Sequence, residues 1–182
     1  MCGFTYSYAN ELADCAAQIR PTPLYQPKLV TVNKGLWQTL GLPNGWLENY
    51  NLVRQLFSPD TPLTKSSIAQ KYGGHQFGQW NPMLGDGRGL LLAEVIATDG
   101  SKHDLHLKGA GPTPYSRHAD GRAVLRSTIR EYLASEAMHH LGIPTSRALC
   151  LFTTEEPVYR EQQERAAMMI RTAPSHLRFG HF

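Results

Sequence analysis

Gly85, Gly87 and Gly89 stand at alternate positions with Asp86 and Arg88 between them, and Lys108 closes an alternating run that begins at His103. These residue types suit phosphate binding. Glycines let a backbone approach an anion and aim its N–H groups at it. Arg88 adds a fork of donors for phosphate oxygens, and Lys108 a compact point charge. On the residues alone, the loop reads equally well as a glycine-rich hairpin turn with an exposed arginine. It is not a P-loop, since no Gly-Lys-Ser/Thr follows. It is not a dinucleotide fingerprint, since the run after it is strand-like. Farther on, Glu131 and Glu136 lie five apart, so they take different faces of a helix; spacing does not say which would partner Lys108.

The elements that must hold these residues can be read from periodicity. Leu90–Ala97 is an apolar run broken only by Glu94, and Thr98-Asp99-Gly100-Ser101 is a turn signal. In the run to Lys108, Leu105 and Leu107 share one face, His106 and Lys108 the other. The stretch is glycine loop, strand, turn, strand. Ahead of it, residues 71–80 (KYGGHQFGQW) read as a strand with Gly78 at a close backbone approach. After Lys108, a Gly/Pro-rich loop leads to a helix of roughly 20 residues beginning near Arg122. Leu125, Ile129, Tyr132/Leu133 and Ala137 form its predicted apolar stripe, with Met138 and Leu141 beside it, and Gly142 and Pro144 end it. Asp120-Gly121 reads as the turn that starts this helix, with Asp120 as N-cap. Thr145–Thr153 and Ala166–Thr172 read as strands joined by a charged connection.

Residues 1–65 read as an extension around a core formed by residues 66–182. It holds a short helix within 10–20 capped by Asn10, prolines 21, 23 and 27, a strand over 28–33 and two short helices over 34–40 and 45–56.

The chain of 182 residues has a formal charge of +3, which suits an anionic ligand but is no nucleic-acid signature. No apolar run nears the roughly 20 residues needed to span a membrane. The N-terminus has no signal-peptide pattern. Cys2, Cys15 and Cys150 show neither metal nor disulfide spacing, which fits a reducing cytoplasm. The histidines form no chelate: His103 and His106 point to opposite strand faces, His139 and His140 diverge on the helix, and His75 lacks a partner. By residue type alone, Arg171 and Arg178 are ordinary surface arginines.

The order of strand, glycine loop, strand, turn, strand with lysine, long helix and two strands is that of a protein-kinase small lobe. Longer strings go further. YGGHQFGQW, LGDGRG, HLKGAGPTPYSR, DGRAVLRSTIREYLASEAMHHLGIPTSRAL, PVYRE and MIRTAPSHLRFGHF resemble the SelO family, also called the YdiU or selenoprotein O family, over about residues 21–182. The resemblance implies an α+β fold: a kinase-like small lobe of antiparallel sheet and one long helix, with an N-terminal extension, truncated before a large lobe. It implies a protein adenylyltransferase that binds ATP inverted relative to kinases and moves AMP to Ser, Thr or Tyr hydroxyls of proteins, with UTP as a possible alternative to ATP. Lys108 matches the phosphate-contacting lysine and Glu131 its partner. Gly85, Gly87 and Arg88 match loop residues at the nucleotide, Asp120 and Gly121 another contacting pair, and Arg171 and Arg178 the arginines on the inverted phosphates.

The family's catalytic aspartate and its Mg²⁺ or Mn²⁺ ligands are expected beyond Phe182. A catalytically inactive nucleotide-binding fragment is therefore the alternative. An apolar surface is expected near the C-terminus, where a large lobe would pack. The implied partners are ATP and protein substrates, without nucleic acid or membrane.

Overall fold

The computed structural model describes residues 3–182. One antiparallel sheet organises it, with strands in the order β2-β4-β7-β8-β11-β10-β3. In chain order the elements are β1 (Gly3–Thr5), α1 (Ser7–Glu11), β2 (Ala16–Gln18), β3 (Lys28–Val32), α2 (Lys34–Thr39), α3 (Asn51–Phe57) and β4 (Ile68–Gln70), then β5 (Gly74–Gln76), β6 (Gln79–Asn81), β7 (Gly89–Ile96), β8 (Lys102–Lys108), β9 (Ala123–Val124), α4 (Leu125–His140), β10 (Arg147–Tyr159) and β11 (Gln163–Ala173). β1 adds to β7 and β9 to β11, while β5 and β6 form a separate hairpin. The fold is mixed α/β with an antiparallel sheet and few helices.

The two faces of the sheet differ in chemistry. Leu90, Leu105, Leu107, Phe152 and Ile170 join Leu36 and Trp37 of α2, Leu40 at its C-cap, and Leu52 and Leu56 of α3 in one core. Residues 3–65, read above as an extension, thus supply strands to the sheet and side chains to that same core. On the other face, Arg171 pairs in register with His106 and Met169 with Lys108, so β8 and β11 present a charged row.

That charged row decides how α4 packs. Most of the expected apolar stripe is turned outward: Ile129, Leu133 and Ala137 are exposed, as are Met138 and Leu141 beside it, while Leu125 and Tyr132 are half-buried. Thr128 is fully buried, and Glu131, Tyr132, Ser135 and Glu136 are half-buried on the side facing the sheet. A polar sheet face calls for polar helix residues, because a buried charge without a partner costs more than an apolar contact contributes. Asp120 does not cap the helix. Val124 holds the N-cap position, and the helix runs for 16 residues.

Three further expectations are corrected. Residues 71–80 do not form one strand; β5 and β6 fold back through Phe77 and Gly78, both at positive φ (55° and 77°). Gly78 faces open space, so the turn conformation, not close approach, requires it. The helix expected within residues 10–20 gives way to α1 and then β2, which pairs with β4. β10 and β11 extend through the charged connection as one long hairpin that pairs Tyr159 with Gln163. The apolar surface near the C-terminus is present, with Leu177, Phe179 and Phe182 exposed.

Glu94, the one charge within β7, is 2% exposed. It anchors the N-terminal residues. Its carboxylate accepts from Thr5 Oγ1 (2.8 Å), Ser7 N (2.7 Å), Ser7 Oγ (2.9 Å) and Tyr8 N (2.9 Å). Burial pushes its pKa up, but these bonds more than offset that and hold it below its ordinary value.

Candidate functional site

A cavity of about 620 Å³ opens over the charged face of the sheet. The loop at residues 85–89 forms one wall, His106 and Lys108 of β8 and Arg171 of β11 the floor, and residues 115–122 with Arg160 the opposite wall; Arg178 closes one end. Eight of the nine residues singled out from the sequence line it: Gly85, Gly87, Arg88, Lys108, Asp120, Gly121, Arg171 and Arg178. The ninth, Glu131, reaches in from α4 and touches Lys108 Nζ.

The glycine loop is shaped from behind by its own chain. A Cβ at Gly85 would run into the Tyr115 ring, and one at Gly89 into the His106 imidazole. The loop is tied down by Asp86 N donating to Gln70 O (2.9 Å) and by Thr113 Oγ1 donating to Asp86 O (2.7 Å). Arg88 is left pointing from a pinned backbone.

Along the floor the polar groups form a continuous chain. Glu131 takes Lys108 on Oε2 and Arg171 Nη1 on Oε1 (3.1 Å). Arg171 Nη2 contacts His106 Nδ1 (3.0 Å), and His106 Nε2 contacts Asp86 Oδ2 (3.2 Å). Asp86 also accepts from the Tyr72 hydroxyl (3.0 Å) and Gln70 N (3.3 Å). Burial pushes the Asp86 carboxyl up, but His106, Arg178 and the Tyr72 hydroxyl offset that and hold it below its ordinary value. Burial, with the guanidinia of Arg171, Arg88 and Arg130 nearby, lowers Lys108 to about 8. With that value the ammonium in contact with the Glu131 carboxylate is charged at neutral pH.

Glu136 serves a different purpose. It takes the Arg147 guanidinium on both oxygens (2.9 and 2.8 Å), Ala148 N (3.0 Å) and Asn33 Nδ2 (2.7 Å), fastening α4 to β10 and to the N-cap of α2. Asp120 is likewise committed: it takes both Nη atoms of Arg160 (2.8 and 2.9 Å) and Arg122 N (2.8 Å). Gly121 follows at φ +67°, pressed against the Gly111 carbonyl where no side chain fits.

The remaining cations fit a polyanion. Lys108 and Arg171 share one carboxylate. Arg88, Arg117 and Arg178 have no ion-pair partner among the described residues; Arg117 bonds only the Gln76 amide, and Arg178 lies over the Tyr72 ring at 4.7 Å. Arg171 Nε is buried without a hydrogen-bond partner among the described residues. A buried orphan donor on a cation-lined floor is a place for an acceptor. No group of three His, Cys, Asp or Glu among the described residues is placed to hold a metal ion. The cations present suit an anionic ligand with several negative charges.

Residue reading alone passed over Asp86, His106 and Arg117. A signal existed for His106, which shares a strand face with Lys108. The cross-strand pairing that brings Arg171 to it has no local signature.

A family model described as protein adenylyltransferase SelO matches residues 2–182. A protein nucleotidyltransferase YdiU of Pseudoalteromonas atlantica is 62% identical over 177 residues, 97% of this chain and 37% of that relative. Its namesake in Aeromonas salmonicida is 55% identical over 179 residues, 96% of this chain and 36% of the relative. One in Yersinia pseudotuberculosis is 53% identical over 180 residues, covering 98% and 37%. The chain thus spans little more than a third of the length of the curated relatives it matches. Matched from residue 2 to its last residue, the chain belongs to the SelO family.

Proposed function

We propose that this chain carries the ATP-phosphate site of a protein adenylyltransferase, on a sheet and helix arranged as a kinase-like small lobe. One observation carries the reading: seven cations line one cavity, and although Arg122 and Arg160 are paired with Glu156 and Asp120 and Lys108 and Arg171 share Glu131, Arg88, Arg117 and Arg178 have no ion-pair partner among the described residues. A triphosphate supplies the missing negative charge. In the transfer, a Ser, Thr or Tyr hydroxyl of a protein attacks the α-phosphorus, the bond to the β-phosphate oxygen breaks, and pyrophosphate leaves. Charge builds on that leaving group, and fixed cations around it stabilise the transition state more than the ground state. Glu131 keeps Lys108 and Arg171 aimed at the phosphates.

The two aspartates on the cavity, Asp86 and Asp120, are both engaged by internal partners, so neither is free to act as general base. Proton abstraction and metal binding thus fall to groups outside these residues. This favours a second reading for the chain by itself: it binds nucleotide without transferring it. We place the protein in the cytoplasm, in keeping with the free Cys15 and with Cys150, whose thiol burial pushes up to about 12.

Calorimetric titration of the chain with ATP, UTP and inorganic triphosphate tests the phosphate site. Binding of ATP and triphosphate is expected, and no binding at millimolar concentration would overturn the reading. Incubation with labelled ATP, Mg²⁺ and a protein acceptor is expected to leave no denaturation-resistant label. Robust label would show that the described residues suffice for transfer.

A further inference from the structure

The phosphate reading leaves the Asp86–His106 pair beneath the glycine loop without a task. His106 is 1% exposed and Asp86 5%. The protonation of the imidazole follows from its neighbours. A guanidinium can only donate, so His106 Nδ1, 3.0 Å from Arg171 Nη2, is bare and accepts. The ring proton is then on Nε2, which donates to Asp86 Oδ2 at 3.2 Å. Asp86 can only accept there, so both ends of the ring agree on one neutral tautomer. Burial also pulls the His106 pKa down to about 4. The ring has little freedom to turn. His176 stacks on it at 4.7 Å and 21°, itself held by Asp104, and the missing side chain at Gly89 leaves the space that the ring edge fills. Arg171 is therefore gripped at two corners, by Glu131 on Nη1 and His106 on Nη2, with its Nε–H left over.

We propose that Asp86 and His106 are positioning residues for the anion site: Asp86 selects the Nε2–H tautomer of His106, and the bare Nδ1 fixes the Arg171 guanidinium in the attitude that receives a phosphate. This rests on the nucleotide reading above. The competing role is simple packing, and three substitutions separate the two. His106→Leu keeps apolar bulk but removes the acceptor, freeing Arg171. His106→Gln keeps both functions, since its amide donates to Asp86 through Nε2 and accepts from Arg171 through Oε1. Asp86→Leu removes the acceptor on Nε2, so nothing selects the tautomer that leaves Nδ1 bare for Arg171.

The test measures ATP affinity and thermal melting of the chain and its variants, with ¹⁵N spectra of the imidazole nitrogens at neutral pH. For the unmodified chain, ATP binding and a His106 carrying its proton on Nε2 are expected. His106→Leu and Asp86→Leu should each weaken ATP binding about tenfold or more, and His106→Gln should stay within about threefold. ATP binding undiminished in His106→Leu, or a His106→Gln as weak as His106→Leu, would overturn the proposal. So would a proton on Nδ1 in the unmodified chain, a measurement that stands even if His106→Leu fails to fold. An unmodified chain with the expected tautomer but no affinity for ATP would overturn the nucleotide reading, and the phosphate role of Arg171 with it. ATP binding with the other tautomer would overturn the positioning role alone.

Discussion

Glu94 and Glu131 are both inward-facing carboxylates, yet their surroundings are opposite in kind. Glu94 is met by backbone N–H groups and hydroxyls, four bonds from three residues, Thr5, Ser7 and Tyr8, with no ion-pair partner among the described residues; Lys102 bonds Ser7 Oγ instead. Glu131 is met only by cations, and more cations stand around the same cavity than it can serve. A charge whose oxygens are filled by neutral donors of its own chain has finished its work on folding. A charge outnumbered by opposite charges leaves a surplus, and a surplus facing a cavity awaits a ligand. The two acids differ above all in partner type: neutral donors of the chain's own backbone and hydroxyls on one, cations on the other.

That contrast can be broken most directly at Glu94. Glu94→Ala should lower stability by about 3 kcal/mol, because buried donors lose a charged acceptor, while the folded chain keeps its ATP affinity. Chemical denaturation beside calorimetry reads both. Lys108→Ala should do the reverse. ATP affinity should fall by roughly tenfold to a hundredfold, the equivalent of about 1.5–3 kcal/mol for a charge-assisted contact, with little change in Tm. A Tm drop as large as that of Glu94→Ala would dissolve the distinction. Lys108→Arg should recover only part of the affinity, since a planar fork does not replace a compact ammonium. Glu131→Gln should cost less, about 1 kcal/mol of affinity, because the lysine stays and only its aim loosens.

Acid and base should separate the two sites as well. The Glu94 carboxyl sits below its ordinary 4.5 when folded, so its contribution is complete above that value and is lost as pH falls through the lower folded pKa. Lys108 runs the other way. It is charged below about 8, and ATP affinity should fall as pH rises through that value, a dependence that Lys108→Ala removes. The smallest expected effect is at the surface: Arg165→Ala breaks an exposed pair with Glu155 and should change stability by less than about 1 kcal/mol.

Much of the frame was legible in the residues. The hairpin around Asp99-Gly100 and the strand ending at Lys108 follow from alternation and turn chemistry, both local properties. The Lys108–Glu131 contact was open on spacing and suggested only by family resemblance. What stayed hidden was set by neighbours distant in sequence. The α4 stripe looked like a core face because periodicity reports amphipathicity without saying which side the protein buries. Here the charged row on β8 and β11 reverses it, and Leu133 is outside while Thr128 is inside. His106 looked idle because its partners, Asp86 and Arg171, come from a loop and a strand on either side of it in the chain.

The place of β3 at the far edge of the sheet has a consequence for how the molecule is made. Thr31 pairs with Leu151, so a strand that leaves the ribosome early must wait for one synthesised about 120 residues later. Meanwhile β7–β8 and β10–β11 can each close as soon as their own turns emerge, since their partners are adjacent in the chain. The nascent chain therefore holds an unpaired strand, Lys28–Val32, until β10 has been made, with Leu29 and Val30 free to join another copy. Lys28, at the start of that strand, and the prolines at 21, 23 and 27 just before it are the features that discourage such mispairing. Replacing them should lower the yield of soluble protein more than the stability of what has folded.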